Sequence, residues 1–165
     1  EVVLALGAEM LTLGNLASSR EDAREKLERV LTSGAAAERF VKMVAGLGGP
    51  PDLLDAPARR LAQAPVVVEA RAQREGRVTA IDVRALGLAV VALGGGRRRA
   101  GEKIDPAVGL SDLEPLGADI AARPLARVHA RDEASAAATI EAVRRAYVIG
   151  GGAPAIEPVI VESVA

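Results

Sequence analysis

The chain has 165 residues and a formal net charge of −1; half of it is hydrophobic, yet it holds one Phe, one Tyr and no Trp. That length suits one ordinary domain, or a small domain with part of another, with a core built from Ala, Val and Leu. The balanced charge argues against a nucleic-acid or anionic-membrane partner, the lack of cysteine excludes disulfides, thiol nucleophiles and zinc–thiolate sites, and no apolar run reaches the roughly 18 residues of a membrane span.

Residues 1–14 read as a helix with Val3, Leu4, Leu6, Met10, Leu11 and Leu13 on most of its sides, and so as a well-buried one. Glu1 opens it without Met or cap, so the chain is expected to be a fragment whose N-terminal part is missing. Ser19 is placed to cap a second helix, with Asp22 in the position of a capping-box acid and Ala23, Leu27, Val30 and Leu31 on its buried face. A third helix starts near Ala35, is expected to bury Ala36, Phe40, Met43, Val44 and Leu47, and stops at Gly48-Gly49-Pro50-Pro51.

The segment 52–63 is read as irregular or as a single helical turn, with Arg59 and Arg60 exposed, and as the junction between two parts: residues 1–57, and a domain over 64–165. Pro65–Ala70 and Gly76–Asp82 read as strands, and Glu75-Gly76 between them suggests a hairpin. In the second strand Val78 and Ala80 share the inner face, and Val83 continues the alternation. Asp82 then caps a helix that buries Leu86, Ala89, Val90 and Leu93 and ends at Gly94-Gly95-Gly96.

Arg97, Arg98 and Arg99 follow that triple glycine. Glycine-bared backbone N–H groups and forked guanidinium groups are what an anion needs, so Gly95, Gly96, Arg97 and Arg98 are the candidates for substrate or anion contact. The phosphate-loop pattern nevertheless fails: Gly96 and Gly101 have the spacing, but Glu102 stands where lysine is required, and the glycines follow a helix instead of opening one. A structural corner with solvated arginines is the favoured reading.

Ile104, Val108 and Leu110 mark an extended segment, and Leu113, Leu116 and Ile120 suit turns and short strands. In 124–130, Ala126, Val128 and Ala130 share one face, opposite Leu125, Arg127 and His129. Asp132 caps a last helix burying Ala136, Ile140, Val143 and Tyr147 and running to Gly150; residues 158–164 return as a strand. His129, the only histidine, has no sequence neighbour suited to nucleophilic chemistry, and Asp105, Asp112, Glu114 and Asp119 lack metal-loop spacing. No catalytic residue and no metal site are assigned. The fold class is α+β: a helical segment, then a small hammerhead-like domain of mainly antiparallel strands.

The runs GRVTAIDVRALGLAVVALGGGRRRAGEKIDPAVGL and LGADIAARPLARVHARDE, preceded by EMLTLGNLASSREDAREKLERVLTSGAAAERFVKMVAGLGGPPDLLD, resemble the C-terminal portion of the thymidine and pyrimidine-nucleoside phosphorylases over essentially the whole chain. The resemblance implies reversible phosphorolysis of a pyrimidine nucleoside to free base and (deoxy)ribose 1-phosphate by a cytoplasmic homodimer. It implies no cofactor, since phosphate is a co-substrate. It also implies that the phosphate loop and the base-gripping residues lie upstream of Glu1, so that this chain is structural and inactive alone. Two other readings stand beside it. One is a non-enzymatic anion-binding or interaction module using the arginine corner. The other is a biotinyl- or lipoyl-type carrier with Lys103 as its attachment point.

Overall fold

The structure is a computed structural model that describes residues 1–121, 123–155, 158, 160 and 162. The chain divides into two compact units, one over Glu1–Arg60 and one over Leu61–Ile156.

The first unit is helical: α1 (Val2–Leu13), α2 (Arg20–Thr32), α3 (Ala35–Gly46) and the single turn α4 (Pro57–Arg60). Ser19 caps α2 as expected, its hydroxyl accepting from the Asp22 N–H at 3.2 Å. The Asp22 carboxylate reaches back one residue further than a capping box requires, accepting from the Ser18 N–H at 2.9 Å and from Lys26 Nζ at 2.9 Å. The Lys26 ammonium first, and then the Ser18 N–H, hold that carboxyl down at about 2. Its folded value lies below the ordinary 3.8, so its stabilisation is present above about pH 4 and is lost as the pH falls through about 2. The Ser18 amide resonance is expected to titrate with a midpoint near pH 2, and Lys26→Met to move that midpoint upward.

Small residues let α1 and α2 approach closely. Ala8 and Ala23 are buried, and a Cβ on Gly7 would lie 2.9 Å from a Leu27 methyl. Arg24 clamps the pair by gripping Glu1 through both carboxylate oxygens at 2.8 Å while also holding Glu28. The burial expected elsewhere in this unit is not observed. Val3, Leu6, Met10 and Leu13 of α1 are exposed, as are Val30 and Leu31 of α2 and Phe40, Met43 and Leu47 around α3. A helix apolar all round reads as buried from its sequence, but within this unit only one side of α1 meets another element.

The second unit holds β1 (Val66–Ala70), β2 (Arg77–Ile81), α5 (Val83–Leu93), β3 (Gly109–Ser111), β4 (Ala126–Ala130), α6 (Glu133–Ala146) and β5 (Tyr147–Gly150). It is α+β with antiparallel pairing throughout. One sheet has the order β1-β4-β3 and the other pairs β2 with β5. The hairpin expected of β1 and β2 does not form. β1 pairs with β4, Val68 opposite Val128, and β2 pairs with β5, Val78 opposite Ile149. A register break between Val78 and Ala80 explains why Val78 is buried while Ala80 turns out to solvent. Val83 is likewise not part of the strand; it opens α5 and is exposed.

Both helix caps in this unit form as read: the Asp82 carboxylate accepts from the Ala85 N–H at 2.9 Å, and Asp132 from the Ser135 N–H at 2.7 Å. α6 is shorter than its sequence suggested. The chain changes to β5 at Tyr147, where Val148 and Ile149 favour a strand, and Thr139 joins Ala136 and Val143 on the buried face. Of the strand expected over 158–164 only residues 158, 160 and 162 are described, and none of the three is in a strand; the rest lies outside the described residues.

α6 packs across β1 and β4, and α5 packs against α6 and β3. Leu93, Leu125, Val78, Val128 and Val143 are the largest side chains fully enclosed in the resulting core. Tyr147 completes it, donating from its hydroxyl to the Glu114 carbonyl at 3.0 Å; burial, and then the nearby Glu114 charge, push its pKa up. On the outer side of α5, a Cβ at Gly87 would meet nothing within 4 Å. Gly87→Ala is therefore expected to stabilise the unit by about 1 kcal/mol, read as a higher urea midpoint, because it removes backbone freedom from the unfolded chain at no steric cost.

Candidate functional site

The glycine–arginine corner is built by the end of α5. Leu86, Ala89 and Leu93 anchor that helix in the core, and Gly94, at φ 102°, turns the chain out of it. Gly95 N–H donates to Val90 O at 3.0 Å and Gly94 N–H to Val91 O at 3.1 Å, the paired bonds of a Schellman ending. Arg131, from the β4–α6 junction, donates from its guanidinium to the Leu93 carbonyl, and Asp105 N–H donates to Gly94 O at 3.0 Å. The carbonyls that make a helix end electronegative are thereby satisfied from several directions.

Of the four candidates, Gly95 spends its N–H inside the helix ending, and Gly96 packs against Val91 with no room for a Cβ. Arg97 donates from Nε to the Glu102 carbonyl at 3.1 Å. Arg98 donates its backbone N–H to the Glu102 carboxylate at 2.8 Å. The glutamate that broke the phosphate-loop pattern is thus folded back into the loop as an internal anion. Arg97, Arg98 and Arg99 are exposed. Beside them lies a shallow hollow lined by Gly94, Gly96, Arg98, Glu102, Lys103 and Arg131. Lys103 stands in that hollow, on the connection between α5 and β3, and not at the tip of a hairpin. That placement removes the geometry a carrier lysine needs.

His129 is half-buried on β4, and its Nε2 is 2.8 Å from the hydroxyl of Ser111 on the neighbouring β3. The strand register carries the pairing, Gly109 lying opposite His129 and Ser111 opposite Arg127. Sequence reading missed Ser111 because 18 positions separate it from the histidine; only knowledge that β3 pairs with β4 joins them. Asp112 sits 3.5 Å from the Ser111 hydroxyl and 3.5 Å from Arg127 Nε. The carboxylate lies beside the serine and not behind the imidazole, so the order of groups differs from that of a nucleophilic triad. Leu125, expected on the outer face with His129, is buried just before the strand begins.

Among the described residues, no group of three or more His, Cys, Asp or Glu side chains could hold a metal ion. Nor is any helix there long and apolar enough to cross a membrane. At the corner the chemistry on offer is cationic and hydrogen-bonding.

Residues 77–150 match the family model of the pyrimidine nucleoside phosphorylase C-terminal domain. The chain is 59% identical over 157 residues, 93% of its length, to a thymidine phosphorylase of Burkholderia cenocepacia, of which it covers 36%. It is 56% identical over 157 residues, again 93% of its length and 36% of the relative, to a thymidine phosphorylase of Burkholderia lata. To one of Mesorhizobium japonicum it is 47% identical over 165 residues, 99% of its length and 38% of the relative. The chain thus spans between 36% and 38% of the length of these curated relatives.

Proposed function

The chain belongs to the thymidine and pyrimidine-nucleoside phosphorylase family, as a C-terminal portion of it, and from that premise we propose that the whole protein phosphorolyses thymidine or another pyrimidine nucleoside reversibly. Phosphate would attack the anomeric carbon as the bond to the base breaks, giving the free base and (deoxy)ribose 1-phosphate. The sugar becomes cation-like along that path, so the catalyst's task is to orient phosphate and to stabilise charge on the departing base. The observation that carries this reading is relatives named for that activity at 47–59% identity across nearly all of this chain.

None of the side chains described above is arranged for that chemistry, and we assign this chain an architectural share in it. The unit over Leu61–Ile156 is a packed α+β body whose polar loops close on themselves, suited to forming a fixed wall beside a substrate cleft. The assembly is proposed to be a cytoplasmic homodimer, with phosphate as co-substrate and no cofactor. The alternative, a non-enzymatic anion-binding or interaction module, draws on the cationic hollow at the corner.

A phosphate-dependent thymidine assay separates the two. A polypeptide of the relatives' length that carries this sequence is expected to convert thymidine, and the 165-residue chain alone to show none of that activity. Absence of activity in both overturns the enzyme reading. Turnover by the 165-residue chain overturns the architectural role.

A further inference from the structure

We propose that the hollow at the end of α5 is a site for a phosphate or phosphoryl group, held shut by the chain's own Glu102. Three observations converge on it. First, the negative end of the helix is neutralised: Val90, Val91, Leu93 and Gly94 all have their carbonyls engaged, Leu93 by the Arg131 guanidinium. Second, the hollow is faced by three cationic side chains, Arg98, Lys103 and Arg131, against the single carboxylate of Glu102. Third, that carboxylate, on an exposed residue, is folded back onto the loop. It sits 2.8 Å from the Arg98 backbone N–H, in the place an oxyanion would take, and Arg97 pins the same residue through its carbonyl at 3.1 Å.

Glu102 thus does for the loop what a bound anion would do. An incoming phosphoryl group must displace it, so the wild-type site is weak and removal of the carboxylate strengthens it. The inference rests on the corner alone and not on the nucleoside reading, so nucleoside turnover neither supports nor weakens it.

The test is a titration of the 165-residue chain with inorganic phosphate, following backbone amide resonances. Glu102→Ala is expected to give saturable shifts centred on the Arg98 and Lys103 amides, at least tenfold tighter than wild type. Adding Arg98→Ala should abolish them. A parallel titration with glycerol 1-phosphate separates a free-anion site from one for a phosphoryl ester, and uptake of either at these amides supports the site. Should Glu102→Ala unsettle the loop, Glu102→Gln decides: it keeps an oxygen for the Arg98 N–H, drops the charge, and must still bind phosphate more tightly than wild type. Equal affinity in wild type and Glu102→Gln, or shifts scattered over arginines throughout the chain, overturns the proposal.

Discussion

Leu93→Ala is expected to destabilise the Leu61–Ile156 unit by about 3 kcal/mol, because truncating a fully buried leucine loses its transfer energy and leaves a cavity. Leu93 is only 1% exposed and ends α5 immediately before the Gly94 turn. Its neighbourhood cannot easily collapse to refill the space: the helix end above it is fastened by Arg131 and by the Gly94 and Gly95 amides. Hydrogen exchange of the Val128 and Ala130 amides measures the effect. Both lie in the central strand β4, and their exchange through global opening should accelerate roughly a hundredfold. Unchanged exchange there would mean that the end of α5 is not part of the cooperative core.

Gly76→Ala should be comparably damaging, for a different reason. Gly76 has φ 139°, a conformation L-residues rarely take, and an added Cβ would lie 2.9 Å from the Gly150 carbonyl and 3.0 Å from an Ile149 methyl. The nearest of these is backbone of β5, which cannot withdraw without opening its pairing with β2. Backbone strain of about 1–3 kcal/mol and overpacking of a similar size then add. Gly101→Ala is the comparison: φ is 86° but nothing lies within 4 Å, so only strain of about 1 kcal/mol applies. A Gly76→Ala urea midpoint no lower than that of Gly101→Ala would show that the close approach is relieved at no cost.

What could be read from the sequence was local. Ser19, Asp82 and Asp132 announce their helices because a cap needs only a short acceptor and an N–H two or three residues on. Ala126, Val128 and Ala130 announce the inner face of β4 by alternation alone. What stayed hidden depends on partners far along the chain. Glu75-Gly76 looks like a hairpin turn, yet β1 finds β4 and β2 finds β5, and nothing near residue 75 encodes that exchange. Tyr147 continues the apolar spacing of α6, so the change to a strand leaves only the β-branched Val148 and Ile149 as its trace. The corner shows both sides. The lysine-to-glutamate departure was visible, but the return of the Glu102 carboxylate to the Arg98 N–H required coordinates. The same holds for Ser111, whose contact with His129 exists only through the β3–β4 register.

The enclosed position of Tyr147 gives the molecule an optical asymmetry. It is the chain's one tyrosine, there is no tryptophan, and it lies in the core of the Leu61–Ile156 unit at 6% exposure. Ultraviolet-excited emission therefore originates in that unit, whereas the Glu1–Arg60 helices contribute only the weak absorption of Phe40. Emission from the native chain is a built-in, label-free report on one half of the polypeptide. The helical half, which holds no tyrosine, is followed instead through its peptide-bond dichroism.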